Sequence, residues 1–503
     1  MASPHAALRS PAELIVVADG TAAALTPTAM DESRSIESRL AALLPPGGAL
    51  VRIFGPANRL PRRLAGAPDE SSGAEYLKYF AVRGVTGDLA ALAARLRAHD
   101  AVDAAYVKPP AEPPIAPDAA ALISSDITYA DRATAPDDLS RPIAPDSVTY
   151  VSSAEAPAVT PNFEARQVYL DQAPQGIDAR WAWTVAGGRG TGVRVIDIEG
   201  AWRFTHEDLQ ANQGGVIGGS PSPDLGWRNH GTAVAGEISG DSNAFGITGI
   251  APDAVIRAIS IFGSGSGSAT AIRSAADALS AGDVILLELH RPGPRFDYAS
   301  RPDQLGFIAI EWWPDDLAAI RYAIGRGVVV VEAAGNGAED LDAALYDTRP
   351  ADFPSSWRNP FRGGPDDSGA IIVGAGAPPP GVHGRDYGPG RSRLSFSNFG
   401  SRVDAQGWGR EVTTTGYGDL QGGSDEDLWY TDTFSGTSSA SPIVTGAVAS
   451  YQGMSTAAGT RKTSAEIRAR LRATGSPQTA APDRPVTQRI GNLPDLRAMI
   501  GPP

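Results

Sequence analysis

The sequence predicts an α/β protein, a parallel sheet with helices on both faces, preceded by a small separate α/β unit. Three observations lead there. Between residues 163 and 479, short apolar runs at 193–196, 254–261, 284–289, 328–331 and 370–373 alternate with helical stretches at 269–281 and 317–326. The runs are apolar throughout rather than alternating, as in strands buried on both faces, and strand–helix alternation implies parallel connections. The chain of 503 residues has no internal repeat and is long enough for more than one domain. Residues 12–108 carry a pattern of their own.

Within that first unit a strand is expected at 13–18. A helix follows at 35–44, with Ile36, Leu40, Leu43 and Leu44 as its apolar positions. Further strands are expected at 49–54 and 76–82. Asp88 then caps a helix whose buried face carries Leu89, Leu92, Ala93 and Leu96, and a last strand spans 104–108. The order βαββαβ is the ferredoxin-like split arrangement. Residues 109–162, rich in Pro, Ala, Ser and Asp, read as a linker. Residues 163–479 form the sheet domain, with a late amphipathic helix at 464–472. The tail at 480–503 has an apolar patch around 493–500 that can dock on the core.

A net charge of −14 argues against nucleic acid or an anionic membrane as partner. Cysteine is absent, which excludes disulfides and thiolate zinc sites. Positive charge is nearly all Arg; Lys78, Lys108 and Lys462 are the only lysines. No stretch reaches the roughly 18 apolar residues needed to span a bilayer. The first residues lack a basic-then-apolar secretory pattern, so a cytoplasmic location or a non-standard export route is expected.

Four segments carry chemistry. Ser438 lies in Ser435-Gly436-Thr437-Ser438-Ser439-Ala440-Ser441-Pro442, just ahead of a small-residue helical run. A serine nucleophile gains from a helix N-terminus, where free N–H groups and the dipole favour the developing negative charge. Such a turn alone is ordinarily an N-cap. Asp197 ends the apolar run Val193-Arg194-Val195-Ile196-Asp197, and His230 opens His230-Gly231-Thr232-Ala233-Val234-Ala235-Gly236. Acid, histidine and serine in that chain order form one of the known sequences of the hydrolytic triad. The fourth segment is a buried strand ending in Gly335-Asn336-Gly337.

On these motifs the chain resembles the subtilisin-like serine proteases, the subtilase or peptidase S8 family. The resemblance implies a serine endopeptidase that needs no cofactor for catalysis. Ser438 is then the nucleophile, His230 the base and Asp197 the orienting acid. Asn336 becomes the side-chain donor of the oxyanion hole. It also implies that residues 12–108 are an inhibitory or chaperone prodomain acting as an intramolecular partner, beside a protein or peptide substrate. Two other readings are an autoinhibited processing protease of narrow specificity and an inactive homologue that only binds peptides.

The chain departs from the family in places. Glu288, Leu289 and His290 stand where the substrate-pairing strand usually ends in Ser-Leu-Gly. With Ala333, Ala334 and Gly335 they are the expected substrate-binding residues. Glu288 is expected either to make the primary pocket acidic or to pair with His290 or an Arg. The insertion 291–313, with Trp312 and Trp313, is expected as an added cleft wall. Asp197-Ile198-Glu199-Gly200 replaces the usual Asp-(Ser/Thr)-Gly. A structural calcium is expected on oxygens of Asp208 and Asn243 and the carbonyls of Asp241, Phe245 and Ile247, in keeping with the hard-oxygen preference of Ca²⁺.

Overall fold

The computed structural model describes residues 9–19, 40–55, 75–115 and 155–501. The helix expected at 35–44 falls mostly outside them, as does most of the linker. In the first unit β1 (Glu13–Ala18), β2 (Ala49–Arg52), β3 (Tyr79–Arg83) and β4 (Val102–Lys108) form an antiparallel sheet in the order β2-β3-β1-β4. Helix α1 (Leu89–Arg97) starts at Asp88, whose carboxylate accepts from the Ala91 N–H at 2.9 Å. Strand side chains alternate between faces. Leu14, Val16, Phe80, Val82 and Ala105 pack on α1. Ile15, Val17, Ala81, Ala104 and Tyr106 face the other way, into the core of the larger unit.

That unit is a seven-stranded parallel sheet. Its strands are β5 (Arg194–Glu199), β6 (Gln213–Gly218), β7 (Val255–Ser260), β8 (Val284–Leu287), β11 (Val329–Ala333), β12 (Ile371–Gly376) and β13 (Ala405–Trp408), in the order β13-β12-β11-β8-β5-β7-β6. A hairpin of β9 (His290–Pro292) and β10 (Phe307–Ala309) leaves its upper edge. Strands β6 and β13 go beyond the expected set. Gly-rich β6 pairs with shifts of register, and β13 has four residues, so neither presents an apolar run. More consequential is β5, which continues past Asp197 through Ile198 to Glu199.

Helices α2 (Leu225–Ser239) and α5 (Thr437–Ala457) cover one face, against Val195, Ile256, Leu286 and Val331. Helices α3 (Ser268–Ala278) and α4 (Pro314–Gly325) cover the other, against Ile196, Ile198, Ile285 and Val330. Helix α6 (Ser464–Ala473) carries a capping box, Thr463 with Glu466. The expected boundary at 479 does not divide the packing. Ile490, Leu493, Leu496 and Met499 of the tail are buried in the two cores, and the Gln406 N–H donates to the Asn492 carbonyl. Among the described residues no helix is long and apolar enough to cross a membrane.

The first unit docks on α3 and α4. Phe54 and Tyr76 lie 5.6 Å, ring to ring, from Tyr322. The Tyr106 hydroxyl donates to Asp315 Oδ1 at 3.0 Å. Lys108, with no solvent exposure, sits 2.6 Å from Asp315, 3.1 Å from Asp316 and 3.4 Å from Glu13, and donates to Ser268 Oγ. Burial opposes charge on Glu13, yet Lys108, Arg291 and Arg83 together hold its carboxyl down to about 2. From Lys108 the chain runs on without a break. Residues 109–115, expected to be linker, lie as a strap across the larger unit.

Candidate active site

Helix α5 begins at Thr437, and Gly436 before it has φ +114°, a conformation suited to glycine, so Ser438 is the second helical residue. Pro442 falls in the second turn, and its missing N–H leaves the Ser438 carbonyl without its helical donor. His230 comes from the first half of α2, whose N-cap Asp224 accepts from the Trp227 N–H. Gly231 beside it is required by close approach, since a Cβ there would lie 2.3 Å from the Ala201 carbonyl oxygen. Both helices sit on the face to which β5 presents Val195, Asp197 and Glu199.

The acid at His230 is Glu199. Its Oε2 lies 2.7 Å from His230 Nδ1, with both side chains fully buried. This corrects the expectation for Asp197, whose Oδ2 instead accepts from the Trp202 indole N–H at 2.7 Å. The physical reason is the length of β5. Residues two apart share a strand face, so Asp197 and Glu199 both point toward α2, and the one at the strand tip meets the histidine. Burial lowers the His230 imidazole to about 3, so it is neutral, with the field of Asp197 acting in the other direction.

The strap enters here. The N–H of Glu112 donates to the His290 carbonyl and the His290 N–H to the Glu112 carbonyl, both at 3.1 Å, an antiparallel pairing at the start of β9. Two residues on, the Pro114 carbonyl oxygen accepts from Ser438 Oγ at 2.6 Å. Ile115 bridges to Gly436 and turns its N–H back to the Pro113 carbonyl at 2.8 Å. His230 Nε2 has no hydrogen-bond partner among the described residues. The serine hydroxyl is therefore committed to a peptide carbonyl delivered by the chain itself.

Residues 191–492 match the family model described as the subtilase family. The chain belongs to the subtilase family. It is 26% identical over 285 residues to subtilisin NAT of Bacillus subtilis subsp. natto, covering 56% of this chain and 61% of that protein. It is 30% identical over 267 residues to subtilisin Savinase of Lederbergia lenta, covering 52% of this chain and 76% of that one. The chain thus spans about three fifths of the subtilisin NAT sequence. Among solved structures it resembles fervidolysin from Fervidobacterium pennivorans, a keratinolytic enzyme related to subtilisin. That likeness has a TM-score of 0.53 at 18% identity over 98% of this chain and 61% of that one, and establishes the fold alone.

In this subtilase Asn336 stands beside Ser438. Its Oδ1 accepts from the N–H and the hydroxyl of Thr437, both at 3.0 Å, which aims Nδ2 away from the helix. Nδ2 donates to Gln304 Oε1 at 3.2 Å, and Gln304 Nε2 donates to the Pro113 carbonyl at 3.3 Å. Gln304, from the 291–313 insertion, is the cleft residue that sequence reasoning missed, for a lone Gln in a loop carries no signal. Trp312 and Trp313 correct the cleft-wall expectation. Both are buried, with Trp312 packed on Trp313, Phe353 and Trp357.

The expected pocket residues divide by face. The Glu288 side chain points at α5, where its carboxyl accepts from Ser441 Oγ. Burial, then the fields of Asp197, Glu199 and Glu237, push that carboxyl far above its usual range. It pairs with neither His290 nor an Arg. Leu289 is buried in the core. His290 pairs with the strap through its backbone, and its ring Nδ1 accepts from the Asn336 N–H at 3.3 Å. Ala333 ends β11. The Ala334 carbonyl accepts from Asn398 Nδ2, and the Gly335 N–H donates to Thr437 Oγ1.

The side chains at the expected calcium site are turned to N–H donors in this structure. Asp208 receives two N–H donors, Asn243 Nδ2 at 2.6 Å and the Ile247 N–H at 2.7 Å, where a cation requires oxygens. The Asn243 oxygen is turned to the Phe245 N–H, and the Asp241 carboxylate caps the N–H groups of Gln210 and Ala211. Among the described residues no group of three or more His, Asp or Glu is arranged to hold a metal.

Proposed function

We propose that this chain is a subtilisin-like serine endopeptidase held silent by its own N-terminal unit. Ser438 Oγ attacks the scissile carbonyl carbon, and His230 Nε2 takes the serine proton and returns it to the leaving amine. Glu199 fixes the proton on Nδ1 and stabilises the imidazolium. Asn336 Nδ2, once released by Gln304, and the Ser438 N–H hold the oxyanion. The observation that carries this reading is Ser438 Oγ 2.6 Å from the Pro114 carbonyl, on a segment paired antiparallel with His290. Pairing of that kind binds a peptide by its backbone, whatever its side chains. The strap therefore occupies the place of a substrate, with Pro114 before the bond and Ile115 after it. With Ser438 turned to Pro114 and His230 Nε2 unpartnered, proton transfer between them has no path until the strap leaves.

A fluorophosphonate probe on the full chain tests both halves of this reading. Lys108→Ala leaves Asp315, Asp316 and Glu13 without their buried cation, a loss of about 3–5 kcal/mol for such a pair. The docked unit should loosen, and labelling of Ser438 should accelerate by at least about a hundredfold at tenfold per 1.4 kcal/mol. Equal labelling in the two proteins would remove the inhibitory role. Failure of both to label would favour the peptide-binding homologue.

Glu112 adds a pH dependence. Burial lifts its carboxyl from 4.5 to about 7 in the docked strap, with Arg9 working in the opposite direction. The docked state thus binds the proton more tightly than the free one. Its hold is strongest below pH 4.5 and weakens until pH has passed 7, by up to roughly a hundredfold. Glu112→Gln mimics the protonated form. Full-chain activity of wild type relative to Glu112→Gln should be near one at pH 4 and should climb toward pH 8. A flat ratio would separate Glu112 from the control of docking.

A further inference from the structure

The face of β5 that serves His230 carries one carboxyl group more than a triad needs. Asp197 and Glu199, two residues apart, are both fully buried. Glu199 Oε2 is taken by His230 and Asp197 Oδ2 by Trp202. Each group keeps a second oxygen, Glu199 Oε1 and Asp197 Oδ1, buried and without any other donor. The titratable groups facing the pair are His230 from α2, Glu288 just after β8, and Tyr417. Among the described residues no Lys or Arg pairs with either carboxyl. Two adjacent negative charges with one donor each and no cation would be very costly there. A single proton between the two orphaned oxygens satisfies both at once.

We propose that Asp197 is a neutral carboxylic acid whose O–H donates to Glu199, making it the positioning residue that holds the Glu199 carboxylate against His230. Glu199 already receives the Nδ1–H of His230, so it carries the charge and Asp197 the proton. Burial and then the Glu199 charge raise Asp197 far above the usual carboxyl range; burial raises Glu199 as well, and the hydrogen bond from Asp197 is the influence that opposes it there. A neutral second acid has a chemical consequence. It leaves one net negative charge to stabilise the imidazolium and spares the nucleophile the repulsion of two.

This inference rests on the triad reading of Ser438, His230 and Glu199, and its first test does not need activity. Infrared difference spectra of the full chain at neutral pH, wild type minus Asp197→Asn, should contain a protonated-carboxyl C=O band. Its absence would overturn the proposal. If the wild type hydrolysed no peptide at all, the band would still decide the protonation, and the protease reading alone would fail. In an active enzyme Asp197→Ala should lower kcat about ten- to a hundredfold with KM little changed, the range for partners that orient a working group. Asp197→Asn keeps an N–H donor for Glu199 and an oxygen for Trp202. It should recover most of that loss and remove any alkaline fall in rate due to ionisation of Asp197. Equal damage by Asn and Ala would mean that the charge of Asp197 is what matters, and would overturn the assignment.

Discussion

Ser438→Ala should eliminate both fluorophosphonate labelling and peptide hydrolysis while leaving the fold intact. The side chain makes one side-chain hydrogen bond, to the Pro114 carbonyl, and its loss removes no packing from α5, which stays anchored by Ile443, Val444 and Ala447. Loss of the nucleophile costs about 10⁶-fold in turnover in subtilisin, the reference case, and that scale applies if Ser438 is the attacking group. Circular dichroism and thermal melting should match the wild type. Residual hydrolysis above a thousandth of the original rate in the purified variant would place the nucleophile elsewhere.

Glu199→Gln should be the second most damaging change, lowering kcat by roughly 10⁴-fold, as replacement of the triad acid by its amide does in chymotrypsin-like enzymes. The amide can present its N–H to His230 Nδ1, which drives the imidazole proton to Nε2, the nitrogen that must accept from Ser438. Even with its oxygen toward Nδ1, it supplies no charge to the imidazolium. KM should change little, since no substrate contact is lost. The comparison that decides is with Asp197→Asn. If the Asp197 variant is the one that loses four orders of magnitude, the acid of the triad is Asp197 after all.

The fold was legible where burial wrote it into the sequence. Runs such as Val328 to Val331 announce a central parallel strand, and the motifs at His230, Asn336 and Ser438 mark sites where a helix or a strand end must hold a polar group. The acid was misread because apolar character stops at Ile196 although the strand does not. Hydrogen bonding carries β5 on to Glu199, and a period of two cannot say which of two same-face acids meets the histidine. Glu288 was misread as well. At the end of β8 its side chain turns to Ser441 of α5, a partner that lies 153 residues away in the sequence. Gln304 and the strap gave no signal, because a lone amide in a loop and a Pro-rich run gain their roles only from what they touch.

Strand β4 and the strap are one continuous piece of chain, and that continuity makes the strap a tethered ligand. Six chain steps separate Lys108, anchored between Asp315 and Asp316, from Pro114 at the serine. Fully extended, they reach about 20 Å. A tether this short presents its ligand at an effective concentration on the order of millimolar or above. Weak contacts along Glu112 to Ile115 are then enough to keep the cleft filled. The direction of the tether matters more than its strength. A cut on the far side of Ile115 severs the strap from the sheet domain that follows, yet leaves it joined to β4 and still seated. Freedom of the cleft is therefore set by departure of the whole antiparallel sheet from α3 and α4, or by a cut within residues 109–113, and not by hydrolysis of the peptide that occupies the site.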